Sequence, residues 1–291
     1  MTAIFARTKM ILEMIKFEHT IFALPFALIS ALLASRPQLF PDAKTLFWIL
    51  MAMIGARSAA MAFNRIADAE IDKENPRTAN RHIPAGLLNK VQVWAFLSVT
   101  VALFEIASWQ LNRLCLILSP VALLFILGYS YTKRFTWLCH LFLGCAIGIA
   151  PIGAWLAVTG KWNLIPLLIG AVVMLWIGGF DIIYALQDFE FDTKSSLFSL
   201  PKRLGKANSL LVSRVMHALM IGLLIAIGVL AGLHLLYFAG VLVVSGLIIY
   251  EQTLVKPDDL SKVDLAFFTL NGWISVTLFA FVFLELFFKL K

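Results

Sequence analysis

Apolar and polar positions along the chain alternate on the scale of a bilayer, not on the scale of a strand or a surface helix. Nine runs rich in Leu, Ile, Val, Phe and Ala cover about residues 17–35, 45–64, 91–109, 114–132, 137–158, 163–186, 209–231, 235–251 and 264–288. A helix of about 17–25 residues crosses the hydrocarbon core. Hydrocarbon offers no partner to backbone N–H and C=O groups, so each run is predicted to be a helix that satisfies its own backbone. Most connectors are short. Two are long and polar, 65–90 and about 187–208, and they carry most of the chemistry.

Composition sharpens this pattern. Of 291 residues, 61% are hydrophobic and 14% charged, against about 45–50% and about 25% in a soluble domain. A soluble globular protein, a disordered tail and a fibrous repeat are excluded. The expectation is an all-α integral membrane protein whose residues 1–291 form one polytopic domain.

The formal net charge of +7 would suggest nucleic acid in a soluble chain. Here the charges sit in connectors, where they read as a topology signal and as contacts with anionic headgroups of the lipid bilayer; no nucleic acid is expected as a partner. Sixteen of the 24 Lys and Arg, Arg7, Lys90, Lys202 and Lys262 among them, fall on one side. Six lie on the other: Arg36, Lys44, Arg113, Lys161, Lys289 and Lys291. Positive-inside then places the N-terminus and both long loops in the cytoplasm and the C-terminus outside. About twenty mixed residues, including Glu13 and Glu18, precede the first run, unlike a cleaved signal or an Arg-rich presequence. A bacterial inner membrane is the expected location. Cys115, Cys139 and Cys145 lie in apolar stretches without a C-x-x-C pair and read as small core residues. The five histidines are scattered, with no zinc spacing.

Two acidic arms stand out, and they echo each other 120 residues apart. The stretch N-R-I-A-D-A-E-I-D, Asn64 to Asp72, repeats polar groups every four residues, so Asn64, Asp68 and Asp72 share one helical face, with Arg57 two turns back on the same stripe. In D-I-I-Y-A-L-Q-D-F-E-F-D, Asp181, Tyr184, Asp188 and Asp192 do the same, while Glu70 and Glu190 point elsewhere. Each arm is followed by a proline and a glycine, Pro84 and Gly86, then Pro201 and Gly205. Paired carboxylates suit Mg²⁺, which takes one or two and completes its octahedron with water and substrate phosphate. Two such arms can hold metal ions on opposite sides of one diphosphate. The bland alternative is a charge-balanced loop in which Lys73, Arg77 and Arg81 neutralise the acids. Arg57 and Asp181 lie inside apolar runs, where a lone charge costs at least ~2.5–3.5 kcal/mol, so each is expected to face a cavity or a partner. Tyr129 and Lys133, four apart in G-Y-S-Y-T-K-R, end the fourth run on one face.

On these residues the chain resembles the UbiA superfamily of intramembrane prenyltransferases, and within it the 4-hydroxybenzoate polyprenyltransferase-like members. The two arms carry the resemblance, with P-R-T-A-N-R-H-I-P-A-G (Pro76 to Gly86), K-F-E-H-T-I-F-A-L-P-F-A-L (Lys16 to Leu28) and S-L-P-K-R-L-G (Ser199 to Gly205). It extends over roughly residues 10–288. The resemblance implies nine transmembrane helices around a central cavity with a cytoplasmic cap, open sideways to lipid. It implies Mg²⁺-dependent transfer of a polyprenyl group from a polyprenyl diphosphate to an aromatic acid acceptor.

By position, Asn64, Asp68, Asp72, Asp188 and Asp192 are then expected to bind the Mg²⁺-diphosphate. Arg77, Tyr129, Lys133 and Tyr184 are expected to contact it or its metal shell, Asp181 to shape the pocket, and Arg57 to meet the acceptor's carboxylate. One departure is Arg65, where many members have Asp; it removes a carboxylate from the first arm. Phe63, Phe125, Tyr131 and Phe180 are candidates for cation–π contact with an allylic carbocation, although 24 phenylalanines make core packing the better reading of any one. The expectation is an enzyme of quinone synthesis acting on a 4-hydroxybenzoate-like acid. A naphthoate acceptor, as in menaquinone synthesis, is the near alternative. A cation-coupled transporter, recognised by flux without a covalent product, is the alternative from another class.

Overall fold

The computed structural model describes residues 10–15 and 23–289, and among them it is helical with no strand beyond one isolated bridge. The helices are α1 (Leu24–Ala34), α2 (Ala43–Ala67), α3 (Ala69–Glu74), α4 (Lys90–Leu111), α5 (Arg113–Thr132), α6 (Cys139–Thr159), α7 (Leu164–Ala185), α8 (Phe189–Lys194), α9 (Leu200–Leu230), α10 (Leu235–Leu254) and α11 (Asn271–Lys289). Among the described residues, eight helical stretches are long and apolar enough to cross a membrane. The first of the nine expected spans appears as α1, 11 residues long. Residues 16–22, where that run and most of the Lys16–Leu28 motif begin, lie outside the described residues, as do residues 1–9 and 290–291.

Three boundaries differ from the hydropathy reading, each for a local reason. The 65–90 connector contains α3, and the 187–208 connector contains α8 together with the first turns of α9. Polarity marked these residues as loop, yet Ser199 caps α9 by accepting from the Lys202 N–H at 3.3 Å, and Pro201 sits in the first turn. Gly205, at φ +78° and ψ 166°, kinks the helix before its apolar run, a conformation that glycine adopts without a Cβ penalty. The last run opens with a π-helical segment, Leu265–Leu270, before α11.

The chain forms two compact units, Met1–Thr20 with Phe47–Tyr131 and Ile21–Leu46 with Thr132–Lys291. In the first, Met14 and Ile15 pack with Ala59 and Ala62 of α2, Leu88, and Val93 and Leu97 of α4. Asn89 and Gln92 close a reciprocal capping box at the start of α4. In the second, Trp176 of α7, Phe26 of α1, Met220 of α9, Val244 of α10 and Ile274 of α11 share one core. There α6 and α7 approach so closely that a Cβ on Gly148 would stand 2.6 Å from the Gly170 carbonyl oxygen. Small residues at such crossings are the usual route to tight helix packing in lipid. The Trp176 indole N–H donates to Asn271 Oδ1 at 2.6 Å, and both residues are fully buried.

Candidate functional site

The first arm is built at the end of α2. The helix stops at Ala67, Asp68 takes φ −94° and ψ 2°, and α3 follows at once. That bridge conformation is sparsely populated outside turns and functional sites. The i→i+4 bonds nevertheless continue through it: the Asp68 N–H donates to the Asn64 carbonyl at 2.9 Å and the Asp72 N–H to the Asp68 carbonyl at 2.7 Å. Asn64, Asp68 and Asp72 therefore stay in one row across a break that the spacing did not show.

Both carboxylates of this arm are buried, Asp68 to 2% and Asp72 to 4% exposure. Asn64 Nδ2 donates to Asp68 Oδ2 at 2.9 Å, and Ser130 Oγ lies 3.5 Å from the same nitrogen. Arg81 Nη1 donates to both Asp72 oxygens, at 2.7 and 2.8 Å. The Thr78 hydroxyl donates to the Asp72 carbonyl, and Asn75 Oδ1 accepts from the Arg77 N–H. The P-R-T-A-N-R segment thus wraps the end of the arm, and Arg81 supplies the local countercharge. The side chain of Arg77 is exposed.

Arg65, the departure from the family pattern, is buried and donates from Nε to the Met14 carbonyl at 3.3 Å. Asp68 and Asp72 act on it electrostatically. Tyr129 has Asp68, Arg65 and Arg57 as its charged neighbours, so the stripe from Arg57 to Asp68 and the end of α5 meet. Glu70 points away as expected: Lys90 Nζ contacts it at 2.8 Å and holds its carboxyl below the ordinary range.

The second arm repeats the plan. Helix α7 ends at Ala185, one 3₁₀ turn spans Leu186–Asp188, Asp188 takes φ −96° and ψ 5°, and α8 follows with Asp192 in its first turn. Lys133 and Ser199 stand near the Asp192 carboxyl, with Asp188 adding its own charge. The Lys133 carbonyl accepts from the Phe198 N–H at 2.8 Å, which ties Lys133 to the loop behind this arm.

Deeper on α7, Asp181 Oδ2 lies 2.6 Å from His140 Nδ1. The Tyr184 ring stacks on Phe267 of the π-helical segment, 4.1 Å between centroids. Phe180 is buried between Trp176 and Phe267 and is a packing residue. Phe63 meets Tyr131 edge-on at 5.7 Å, and Phe125 is exposed.

Composition and spacing missed several contributors. Asn75 lies between the two motifs and Thr78 inside the second, neither with a role legible in the sequence, and Arg81 reads there only as a generic neutraliser. His140 is one of five scattered histidines in the sequence, and the first turn of α6 sets it against Asp181. Each arm offers two carboxylates at one-turn spacing, a donor set that fits Mg²⁺ with phosphate and water completing its shell.

Known proteins agree with this architecture. The 4-hydroxybenzoate octaprenyltransferase of Tolumonas auensis is 31% identical over 77% of this chain and 78% of its own length. The enzyme of the same name from Xanthomonas campestris is 30% identical over 82% of this chain and 79% of its own length. Among solved structures, the apo form of a UbiA homolog from Aeropyrum pernix K1 superposes with a TM-score of 0.84 at 34% identity, covering 92% of this chain and 98% of that one. A UbiA homolog from Archaeoglobus fulgidus bound to DMAPP and Mg²⁺ shares the fold at a TM-score of 0.71 and 17% identity, over 95% of this chain and 98% of that one. The model of the UbiA prenyltransferase family spans residues 23–274 and so takes in both arms; with relatives of this identity and coverage, this multi-span membrane chain belongs to that family and is a prenyltransferase.

Proposed function

We propose that the enzyme transfers a polyprenyl group from its diphosphate to an aromatic acid of the 4-hydroxybenzoate type, in a Mg²⁺-dependent step of quinone synthesis. The observation that carries this reading is the repeated arm: a membrane helix, an aspartate in the bridge conformation, and a six-residue helix with a second aspartate in its first turn. The curated relatives named for 4-hydroxybenzoate support the acceptor, and the Archaeoglobus fulgidus structure with DMAPP and Mg²⁺ supports the donor and the metal.

In this reading Asp68, Asp72, Asp188 and Asp192, with Asn64, bind the Mg²⁺ of the donor diphosphate. Bound Mg²⁺ offsets the charge that builds on the leaving diphosphate. Lys133 at the second arm and Arg77 and Tyr129 at the first contribute donors to the same anion, preorganised charge that needs no rearrangement during reaction. Tyr184 lines the donor site. Arg57 receives the acceptor's carboxylate and Asp181 shapes the pocket. The C1–O bond of the allylic diphosphate breaks with its electron pair leaving on oxygen, the electron-rich ring forms the new bond at C1, and the ring proton is lost. A dry apolar surround keeps water from capturing the cation. The active-site loops and the N-terminus face the cytoplasm of a bacterial inner membrane, residues 1–291 act as one domain, and the C-terminus lies outside.

The test is purified protein with Mg²⁺, an octaprenyl diphosphate and a panel of aromatic acids that includes 4-hydroxybenzoate and a dihydroxynaphthoate, with products read by mass spectrometry. A prenylated hydroxybenzoate supports the reading. A prenylated naphthoate alone moves the enzyme to menaquinone synthesis, and no Mg²⁺-dependent product with any acid overturns it.

A further inference from the structure

His140 lies in the first turn of α6, is 4% exposed, and makes hydrogen bonds to two other elements. Its Nε2 accepts from the backbone N–H of Leu200 at 3.4 Å. A ring nitrogen that accepts a hydrogen bond carries no proton, so the proton sits on Nδ1 and is donated to Asp181 Oδ2 at 2.6 Å. Leu200 is the first residue of α9, whose N–H has no partner within its own helix. The imidazole therefore links α6, the inner face of α7 and the start of α9.

What begins at Leu200 is the end of a strap that runs back to the second arm. Lys202 Nζ donates to the Ser195 and Leu197 carbonyls at 2.7 and 2.8 Å. Ser195 Oγ donates to the Asp192 carbonyl at 3.1 Å. Cys139, beside His140, reaches the Phe198 carbonyl at 3.6 Å. On the other side of the ring, Asp181 lies on α7 seven residues before Asp188. One ring thus faces both routes to the second arm: the helix that leads into it and the strap that leaves it.

We propose that His140 is a positioning residue for the prenyl-transfer reaction: by holding Asp181 and the Leu200 amide together, it sets the placement of Asp188 and Asp192 for the donor diphosphate. This rests on the reading of those two aspartates as a diphosphate-binding arm. The role needs one donor and one acceptor about an imidazole's width apart, which a glutamine amide also supplies. A leucine keeps the volume and supplies neither.

The full-length protein, its H140L variant and its H140Q variant are compared for Mg²⁺-dependent binding of a non-hydrolysable prenyl thiodiphosphate, for kcat and KM, and for thermal stability. Wild type is expected to bind the analogue. H140L is expected to bind it about tenfold more weakly and to show a raised donor KM, and H140Q is expected to recover most of both. Two results overturn the proposal: H140L with wild-type affinity, or affinity in the two variants that follows only their melting temperatures. Failure of wild type itself to bind the analogue overturns the reading of the arm, and the role of His140 with it.

Discussion

Asp68 and Asp188 adopt the same backbone conformation, φ/ψ −94°/2° and −96°/5°, each immediately before a six-residue helix. The six residues that follow them share a glutamate at the second place and an aspartate at the fourth and differ elsewhere: A-E-I-D-K-E after the first and F-E-F-D-T-K after the second. What repeats is a way of ending a membrane helix that presents two carboxylates one turn apart. The two arms differ in their countercharge. The first has Arg81 on Asp72, and the second has Lys133 near Asp192.

Replacement of any one of Asp68, Asp72, Asp188 or Asp192 by Ala is expected to abolish turnover, because on the proposed reading these side chains bind the metal and diphosphate; Asp72→Ala also strips Arg81 of its buried partner and is expected to lower the melting temperature as well. Asn replacements are expected to fail as well, since a neutral amide cannot match the charge of a divalent cation. Product formation and thermal melts on the eight variants check this. Near wild-type rates in two of the four Ala variants would sink the two-arm reading.

On the proposed reading, Arg57 separates acceptor recognition from diphosphate chemistry. It lies two turns deeper than Asn64, and an aromatic acid offers a planar carboxylate that a guanidinium grips through two donors. Arg57→Ala is expected to raise the KM for the acid about tenfold or more while affinity for the prenyl diphosphate is largely kept. Arg57→Lys is expected to restore only part, because an ammonium lacks the fork. Equal losses for both substrates together with a lowered melting point would remove Arg57 from the acceptor site.

Asn271 serves stability. Its Oδ1 accepts from the Trp176 indole, and its Nδ2 donates to the Ala266 and Phe267 carbonyls where the π-helical segment passes into α11. Asn271→Leu leaves the buried indole N–H without its acceptor, at an expected cost of about 1–3 kcal/mol. Chemical unfolding in mild detergent reads this directly, and a variant as stable as wild type would show the bond to be dispensable.

Topology can be checked at Lys90, the first residue of α4 and half exposed beside Glu70. A cysteine there, in a background whose native cysteines are removed, is expected to resist an impermeant thiol reagent in intact cells and to react after permeabilisation. Labelling from outside would invert the orientation derived from the Lys and Arg distribution.

Hydropathy alone determined that this chain crosses a membrane many times as helices, because lipid leaves the backbone no other way to satisfy itself. The four-residue spacing of Asn64, Asp68 and Asp72 likewise determined that these groups form a row, since i→i+4 is the helix's own hydrogen-bond step. Tertiary structure decided what hydropathy cannot encode. Polar stretches such as 69–74 and 189–194 are helical because each extends a membrane helix, the first past one bridge-region aspartate and the second past a 3₁₀ turn that ends in one, and polarity registers only their exposure to water. Which of the three nearby cations would pair with Asp72, and that His140 forty-one residues back would meet Asp181, could not be read for the same reason: a hydrogen bond depends on distance in space, and nothing in a histidine's sequence neighbours says which helix will pack against it.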